Sequence, residues 1–447
     1  MRSNATLSRR GFLKTGLVAG ALTAGSPTII PASAIGRGGR AAPSERVVIG
    51  CIGVGDRGTY LLGSALQQPD VQILAVADVK RDRRDAAKAL VDKHYRNASC
   101  GAFNEFEAVT SRDDIDACIV ASCDHWHVLH ALAAVRAGKD VYVEKPLGVS
   151  LEQDQALRKA VRRHKRIFQF GTQQRSDERF RRACELVLNG RIGTLKTINV
   201  WSPASVAGGP TERAPVPDTL DYARWLGPAP EVPYTKERET NKWWWFISDY
   251  AIGFIAGWGI HPVDIAIWGA GKLVETPVRI SGTGSFPSEG VCNTATAWDI
   301  SCVYDSGVTM RYRSEPAPDE WKDRYGKISG HGTAFEGTEG WVHVNRNLVR
   351  TYPENLVDST IRPNEIHLIK SDHHMRNFID SVKTREEPIA PIEAAVQGDL
   401  VCQTCDVAIR LGREVRWDPH KERFIDDPEA NKRLERVMRA PWQLDRV

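Results

Sequence analysis

The 447-residue chain lacks the features that mark several common classes of protein. Its longest weakly apolar run, Thr15 to Gly25, is short and rich in glycine, so we expect no stable membrane span. The segment before Ala34 contains four basic residues and no acidic residue, which accounts for the formal net charge of +4. The rest of the chain has no net charge, so we do not expect nucleic acid as a partner. Nine cysteines, an odd number scattered through apparent strands and helices, do not suggest a disulfide framework.

The sequence also predicts no metal site. His125, His127 and His130 lie close together, but no carboxylate or thiol set nearby completes a zinc site. Cys402 and Cys405 form a C-x-x-C pair, yet they lie in a helical pattern and no second pair accompanies them. We therefore expect these residues to be structural.

A glycine-rich loop is the most informative motif that is present. Residues 53–58 read Gly-Val-Gly-Asp-Arg-Gly directly after an apolar run, and Asp78 ends the next apolar run. This layout is typical of a dinucleotide-binding β-α-β unit, in which Gly53 permits a tight turn, Gly55 admits a pyrophosphate and Gly58 packs the helix on its strand. Asp78 would bind the adenosine ribose, so NAD is favoured over NADP, although Lys80 and the following arginine could soften that preference.

The N-terminus has the pattern of an export signal. Arg9 and Arg10 precede the apolar run, and Ala-Ser-Ala at 32–34 supplies a cleavage site. We interpret residues 1–34 as a twin-arginine signal peptide and 35–45 as a linker, and expect a periplasmic or secreted protein that uses the twin-arginine export machinery. Because the periplasm maintains no soluble nucleotide pool, we expect the cofactor to be held tightly.

Alternating patterns predict an α/β protein with two sheets. Apolar runs such as Val71 to Ala77 alternate with helical stretches up to about residue 172, which is typical of a doubly wound parallel Rossmann sheet. Further along, two-residue alternation and long loops predict an open, mostly antiparallel sheet. The predicted boundaries are 46–172 for the first domain, 173–412 for the second and 413–447 for a C-terminal tail.

Two further motifs follow predicted parallel strands, and a third lies in the second half. Ser122 to His127 and Glu144-Lys145-Pro146 lie at strand ends, where open α/β sheets bind ligands. The proline fixes the backbone so that the Lys145 ammonium can point into the crevice. His261, in Gly-Ile-His-Pro-Val-Asp at 259–264, can exchange a proton near neutral pH.

In this order and spacing, the motifs resemble those of the Gfo/Idh/MocA family of glucose-fructose oxidoreductases and inositol dehydrogenases. The resemblance covers nearly all of the chain after the leader and includes Gly337-Thr338-Glu339-Gly340 and the segment His373 to Pro388. It implies a Rossmann domain and an α/β domain whose open sheet often mediates homodimers or homotetramers. It also implies hydride transfer between a sugar or cyclitol C–H and NAD or NADP, with Lys145 and His261 beside the carbinol.

The predicted site residues follow from the motifs and the resemblance. Lys145 and His261 are the predicted catalytic residues, one of which takes the hydroxyl proton while the Lys145 charge stabilises an alkoxide. Gln174, Arg175 and Asp264 are predicted to contact the substrate. Cofactor contacts are predicted for Gly53, Gly55, Asp56, Arg57, Gly58, Asp78, Ser122, His127, Glu144 and Lys145.

Two positions depart from the family pattern. Gly257 stands where family dehydrogenases commonly carry an aspartate, four residues before the histidine. A carboxylate that orients His261 would therefore be missing, unless Asp249 or Asp264 compensates. Cys123 stands where proline is usual, which can alter how its loop turns past the nicotinamide.

The main prediction is an NAD(P)-dependent oxidoreductase acting on the CH–OH group of a sugar, glycoside or cyclitol. Two alternatives stay open: an NAD-dependent glycoside-cleaving enzyme that passes through a transient keto-sugar, and a sugar-binding, nucleotide-bound pseudoenzyme marked by Gly257. The run Trp243 to Phe246 suits stacking on sugar rings or packing in a core or interface. His261 and Lys145 also have structural interpretations, as a packed core histidine and a surface lysine.

Overall fold

The computed structural model describes residues 41–326, 328 and 330–447. The predicted signal peptide at 1–34, and the linker as far as residue 40, lie outside the described residues. Within the described ranges, no helix combines the length and apolar character that a membrane crossing requires.

A six-stranded parallel sheet carries the glycine loop, as predicted. The strand order β3-β2-β1-β4-β5-β6 reverses direction at β1, which places a ligand-binding crevice at the carboxyl ends of β1 and β4. Its middle strands are buried on both faces because helices cover them. The strands are β1 (Val47–Ile52), β2 (Val71–Ala77), β3 (Gly101–Phe103), β4 (Ala117–Val120), β5 (Asp140–Val143) and β6 (Phe168–Phe170).

Five helices connect these strands. The first buries one apolar stripe formed by Leu61, Leu62, Ala65 and Leu66, as the helical spacing requires. The fourth begins at Asp124, and an acidic residue in the first turn is favoured by the helix dipole. The helices are α1 (Asp56–Leu66), α2 (Arg81–Tyr95), α3 (Glu107–Thr110), α4 (Asp124–Arg136) and α5 (Leu151–His164).

The second half forms a nine-stranded sheet in the order β13-β12-β11-β7-β10-β9-β8-β14-β15. Neighbouring strands are antiparallel except β7 and β10, so the prediction of a mostly antiparallel sheet is confirmed. The last two strands lie beyond residue 412, so the C-terminal segment extends this sheet. The strands are β7 (Leu195–Ser202), β8 (Val278–Ser285), β9 (Ala297–Tyr304), β10 (Thr309–Ser314), β11 (Gly332–Gly337), β12 (Trp341–Val344), β13 (Val349–Tyr352), β14 (Val415–Asp418) and β15 (Arg423–Phe424).

Helices of the second half pack on one another and on this sheet. The two most buried, α9 and α12, contact each other; α9 also lies against β7 and β11, and α12 against β8. Cys405 in α12 lies with its Sγ 3.7 Å from that of Cys302 in β9, within the apolar core. The helices are α6 (Glu178–Leu188), α7 (Tyr222–Leu226), α8 (Phe254–Gly257), α9 (Ile260–Ala270), α10 (Asp319–Tyr325), α11 (His374–Thr384), α12 (Ile392–Leu411) and α13 (Pro428–Lys432).

A long excursion, residues 203–250, leaves β7 and crosses to the carboxyl ends of the parallel strands; we call it the cover segment. Its backbone bonds to the loop after β2, where the Arg81 N–H donates to Thr219 O at 2.8 Å. It also bonds to the start of α4, where the His125 N–H donates to Tyr250 O at 3.0 Å. The segment has an aromatic core of its own, so it is a folded wall of the crevice.

Candidate active site

A cleft of about 620 Å³ lies at the carboxyl ends of the parallel strands. One wall is the glycine loop with the loops that follow β2, β4 and β5. The opposite wall is the cover segment, which contributes Trp244 and Trp245. The cleft therefore lies where an open α/β sheet binds its ligand.

The glycine loop has the geometry that a dinucleotide requires. Gly53 has a φ of +78°, and a Cβ there would lie 2.5 Å from the backbone N of Ser122. A Cβ at Gly58 would lie 2.0 Å from the Gly53 carbonyl oxygen, so only glycine permits this packing. A Cβ at Gly55 would meet nothing within 4 Å, and this residue caps α1 without a side chain. The open space in front of the helix N-terminus fits a pyrophosphate.

Asp78 is held rigidly on the cleft wall. Its two carboxylate oxygens accept hydrogen bonds from the N–H groups of Val54 and Lys80, both at 2.8 Å. Burial raises the pKa of Asp78, and these two hydrogen bonds oppose the rise. The Lys80 ammonium is 3.0 Å from Glu239 of the cover segment, whose other oxygen accepts from Tyr234 at 2.8 Å. The charge of Lys80 is therefore balanced within the protein.

The other predicted residues of the loop connect the two walls. Asp56 accepts hydrogen bonds from Arg83 at 2.6 Å and from Asn241 of the cover segment at 3.1 Å. Arg57 donates from Nε to Glu144 at 2.6 Å, and Glu144 is almost fully buried. The acidic residue at the end of β5 thus fixes the arginine of the loop.

The histidines of α4 are buried and bonded to neighbouring segments. His127 places Nδ1 2.7 Å from Pro146 O and Nε2 3.0 Å from Ser122 O, which ties together the loops after β4 and β5. His130 Nδ1 is 3.1 Å from the Ser122 hydroxyl, and His125 Nε2 is 3.0 Å from a carbonyl of the cover segment. Burial lowers the pKa of all three histidines. Across the described ranges, no three His, Cys, Asp or Glu side chains are arranged to hold a metal.

Of the predicted catalytic pair, Lys145 lines the cleft, and His261 lies close enough for the charge of Lys145 to lower the pKa of the imidazole. The Lys145 ammonium donates to the Gly257 carbonyl oxygen at 2.7 Å and lies 5.8 Å from the ring centroid of Trp245. Burial lowers the pKa of Lys145, while the carboxyl groups of Glu144 and Asp124 oppose that change. The amine is therefore able to titrate closer to neutrality than an exposed lysine.

His261 is held as a neutral imidazole. Its side chain is buried, and Nδ1 has no hydrogen-bond partner in the part of the chain that the structure describes. Burial lowers the pKa of His261 well below its usual range, and the cations Lys145 and Arg346 lower it further. A neutral imidazole beside a lysine of lowered pKa can accept or relay a hydroxyl proton.

Of the three residues predicted to contact substrate, two are paired in the interior. Arg175 binds Asp264 through two contacts of 2.8 and 2.7 Å, and both side chains are buried. Asp264 is therefore engaged by Arg175 and does not take the place of the missing carboxylate beside His261. Gln174 lies next to the catalytic pair: with its amide oriented to satisfy both neighbours, it donates to His261 O and accepts from Arg346 Nε, each at 3.1 Å.

Several residues of this site carry no signal in the sequence. Glu239 and Asn241 line the cleft from a loop without periodicity. Arg346 lies in a turn between two strands of the second sheet and bonds to Gln174 beside His261. Trp258 sits between Arg346 and His261, with ring contacts to both. Only the aromatic run that contains Trp245 attracts notice in the sequence, and that residue does line the cleft.

Comparison with known proteins places both halves of the chain in one group. Residues 47–172 match the model described as "Oxidoreductase family, NAD-binding Rossmann fold", and residues 195–444 match "Oxidoreductase family, C-terminal alpha/beta domain". A solved structure of scyllo-inositol dehydrogenase from Lactobacillus casei, with bound NAD(H) and scyllo-inositol, superposes with a TM-score of 0.57. It covers 83% of this chain and 99% of that one at 18% identity, so the likeness shows a shared fold.

Curated relatives match over shorter stretches. A "Glycosyl hydrolase family 109 protein" from Saccharopolyspora erythraea is 39% identical over 165 residues, covering 34% of this chain and 36% of the relative. Myo-inositol 2-dehydrogenase from Thermotoga maritima is 29% identical over 181 residues, covering 40% of this chain and 49% of the relative. The chain thus spans between a third and a half of the length of these relatives.

Proposed function

Because the chain belongs to the Gfo/Idh/MocA oxidoreductase family, we propose that it is an NAD-dependent oxidoreductase acting on the CH–OH group of a sugar, glycoside or cyclitol. The observation that carries the proposal is that Lys145 lines the same cleft as the glycine loop, with a neutral His261 nearby. The inositol dehydrogenases among the similar proteins support an alcohol substrate of this class.

The chain's own residues supply the proton chemistry. When bound, NAD supplies an acceptor for the hydride of the carbinol carbon. Lys145 takes the hydroxyl proton, directly or by way of His261, and its positive charge stabilises the developing alkoxide. The Gly257 carbonyl holds the ammonium in position, because it accepts the 2.7 Å hydrogen bond. General acid–base help of this kind typically contributes about 10² to 10⁴ in rate.

The cover segment supports tight retention of the cofactor. Residues of both cleft walls are joined across the nucleotide region by the Lys80–Glu239 pair and by the hydrogen bond from Asn241 to Asp56. A nucleotide bound between these walls leaves only when such contacts break. Retention of this kind suits a protein that works where no soluble nucleotide pool exists.

The same contacts favour NAD over NADP. The Asp78 carboxylate lies where the adenosine ribose is expected, and it would repel a 2′-phosphate. Lys80 is the cation nearest in sequence that could offset this repulsion, but Glu239 already balances its charge. Glu239 itself lines the cleft, so this neutralised pair borders the nucleotide region.

The proposal is tested by identifying the bound nucleotide and its dependence on Gly55. Denaturation of the purified protein should release stoichiometric NAD, identified by mass spectrometry, and the holoprotein should reduce or oxidise it with a sugar or cyclitol. Gly55→Val should lose the nucleotide yet remain folded, since a Cβ at this position meets nothing within 4 Å. Gly63→Val in the same helix, where a Cβ also meets nothing within 4 Å, is the matched control. Failure of the wild type to bind NAD or NADP would overturn the proposal.

Glycoside cleavage through a transient keto-sugar is a second candidate. A retained cofactor can be reduced and reoxidised within one turnover, and the similarity to a protein named as a family 109 glycosyl hydrolase points the same way. Release of the aglycone from a glycoside without accumulation of NADH would favour this candidate. Stoichiometric NADH formation from a free sugar would favour net oxidation.

We also propose export by the twin-arginine route. The support is the paired Arg9 and Arg10 before a short apolar run. Replacing both arginines by lysine should leave the protein in the cytoplasm with its nucleotide bound. Unchanged export of that double variant would contradict the proposal.

A further inference from the structure

Arg346 brings a fixed positive charge to the surroundings of His261 and Lys145, whose pKa values it lowers. It lies in the turn between β12 and β13, where the Asn345 side chain accepts hydrogen bonds from the N–H groups of Asn347 at 2.8 Å and Leu348 at 3.1 Å. The guanidinium lies over the ring of Trp258, with Cζ 4.9 Å from the ring centroid. Both the turn and the stacking contact therefore hold the side chain in place.

This arginine shares its surroundings with the catalytic histidine. The Gln174 amide bridges Arg346 Nε and the His261 carbonyl oxygen, at 3.1 Å on each side. The Trp258 ring stands edge-on to the His261 ring, with centroids 5.5 Å apart. Arg346 is thus separated from His261 by a single indole ring.

Other arginines near the site form ion pairs with carboxylates, whereas Asp177, the carboxylate that raises the pKa of Arg346, is itself paired with Arg179 at 2.6 Å. Arg57 pairs with Glu144 at 2.6 Å, and Arg175 pairs with Asp264 at 2.7 Å. Among the described residues, Arg346 forms no ion pair, and its two terminal nitrogens make no hydrogen bond. A half-buried guanidinium of this kind presents a planar fork of N–H donors, which matches a carboxylate in two-point geometry.

We propose that the substrate is a carbohydrate that carries a carboxylate, which the terminal nitrogens of Arg346 bind while the carbinol faces Lys145 and His261. This inference rests on the proposed function and names its substrate class. Trp258 forms the wall between the two points and suits packing against a sugar ring. A carboxylate fits better than a phosphate, because Arg346 offers a single fork of N–H donors, which matches a monoanion.

The test compares matched neutral and acidic sugars with the holoprotein. Glucose and glucuronate, methyl glucoside and methyl glucuronide, and glucose 6-phosphate are offered to wild type, Arg346→Gln and Arg346→Lys. We expect kcat/KM of the wild type to favour the carboxylated member of a pair by about 10- to 100-fold, as a charge-assisted hydrogen bond typically contributes. Both variants should lose most of this preference. Arg346→Lys keeps the charge, but its ammonium lacks the planar fork of donors that binds a carboxylate at two points.

Arg350→Gln is the matched control. Arg350 lies in β13 of the same hairpin, is exposed, and donates to Tyr325 O at 3.1 Å, away from the cleft. This variant removes an equal charge and should keep the wild-type preference for the acid. An equal loss in Arg350→Gln would show a general effect of charge and refute the role of Arg346.

Binding measurements separate this inference from the proposed function. Calorimetric titration with glucuronate should show binding that Arg346→Gln weakens at least tenfold. If glucuronate binds in this way but no sugar is oxidised, the carboxylate site at Arg346 is supported and the proposed oxidoreductase activity is refuted. Oxidation of neutral sugars without a preference for the acid, a preference for glucose 6-phosphate, or no Arg346-dependent binding would each refute the carboxylate assignment. If Arg346→Gln fails to fold in thermal unfolding, Arg346→Lys decides.

Discussion

Replacing Gly257 by aspartate should raise the pKa of Lys145 and shift the pH dependence of catalysis. The Gly257 carbonyl oxygen already accepts a hydrogen bond from the Lys145 ammonium at 2.7 Å, so a side chain on the same residue lies within reach of that ammonium. A Cβ at this position would meet only Phe254 Cδ1, at an ordinary contact distance of 3.7 Å. The Cβ of the new side chain therefore fits without displacing the backbone.

The size of the shift follows from the balance that now sets the pKa of Lys145. Burial lowers this pKa, and Glu144 and Asp124 only partly oppose burial. An opposite charge within hydrogen-bond reach typically moves a pKa by about 1 to 3 units, and desolvation of the added carboxylate reduces that gain. We expect a rise of about one unit, equivalent to about 1.4 kcal/mol.

The assay measures kcat/KM for oxidation of the substrate as a function of pH. Because the base must be neutral to take a proton, the ascending limb should move about one unit higher in Gly257→Asp, and the rate at neutral pH should fall about tenfold. Gly257→Asn adds the same volume without the charge and should leave the limb in place, as should Gly257→Ala. An unmoved limb in the aspartate variant, or an equal shift in the asparagine variant, would refute Lys145 as the titrating base.

Three further predictions concern the catalytic lysine, the cover segment and buried histidines. Lys145→Met should lower kcat by about 10² to 10⁴ and leave the nucleotide content found by mass spectrometry unchanged; a kcat within tenfold of wild type would contradict its role. Glu239→Gln removes the partner of Lys80, so labelled NAD should exchange about 3- to 10-fold faster, and an unchanged rate would show that the cover segment does not retain the cofactor. Burial lowers the pKa of His125 and of His374 from 6.5 to about 4. The unfolded chain therefore binds more protons than the folded one between these values, and the free energy of unfolding should fall as pH drops from about 6.5 to 4, by up to about 3 kcal/mol per histidine. Urea unfolding at both ends of this range measures the loss, and His374→Asn should show a shallower dependence.

The two sheets could be predicted because their signals are local. Continuous apolar runs such as Val71 to Ala77 identify buried parallel strands, and two-residue alternation identifies strands that face solvent on one side. The signal of the glycine loop is also local, because the positive φ of Gly53 and the close packing of Gly58 both arise within a single turn. These predictions required no knowledge of how distant segments meet.

The walls of the cleft could not be predicted in the same way. Glu239 balances Lys80 from a position 159 residues away, and Arg346 reaches the surroundings of His261 through Gln174 from the turn after β12. Loops without periodicity carry both contacts, so no pattern marks them. Arg175 and Asp264 show the opposite difficulty: each looks like a ligand group in sequence, yet the fold pairs them with each other.

Gly257 shows most clearly why a sequence motif and a site are different things. The sequence has glycine four residues before His261, where a carboxylate is common, and Asp249 and Asp264 are the acidic residues nearby that suggest a substitute. The group that engages Lys145 is instead the main-chain carbonyl of Gly257 itself. A neutral carbonyl holds the ammonium without raising its pKa as a carboxylate does, so burial dominates and Lys145 titrates lower. At this position the main chain therefore holds the Lys145 ammonium without adding a charge that would raise its pKa.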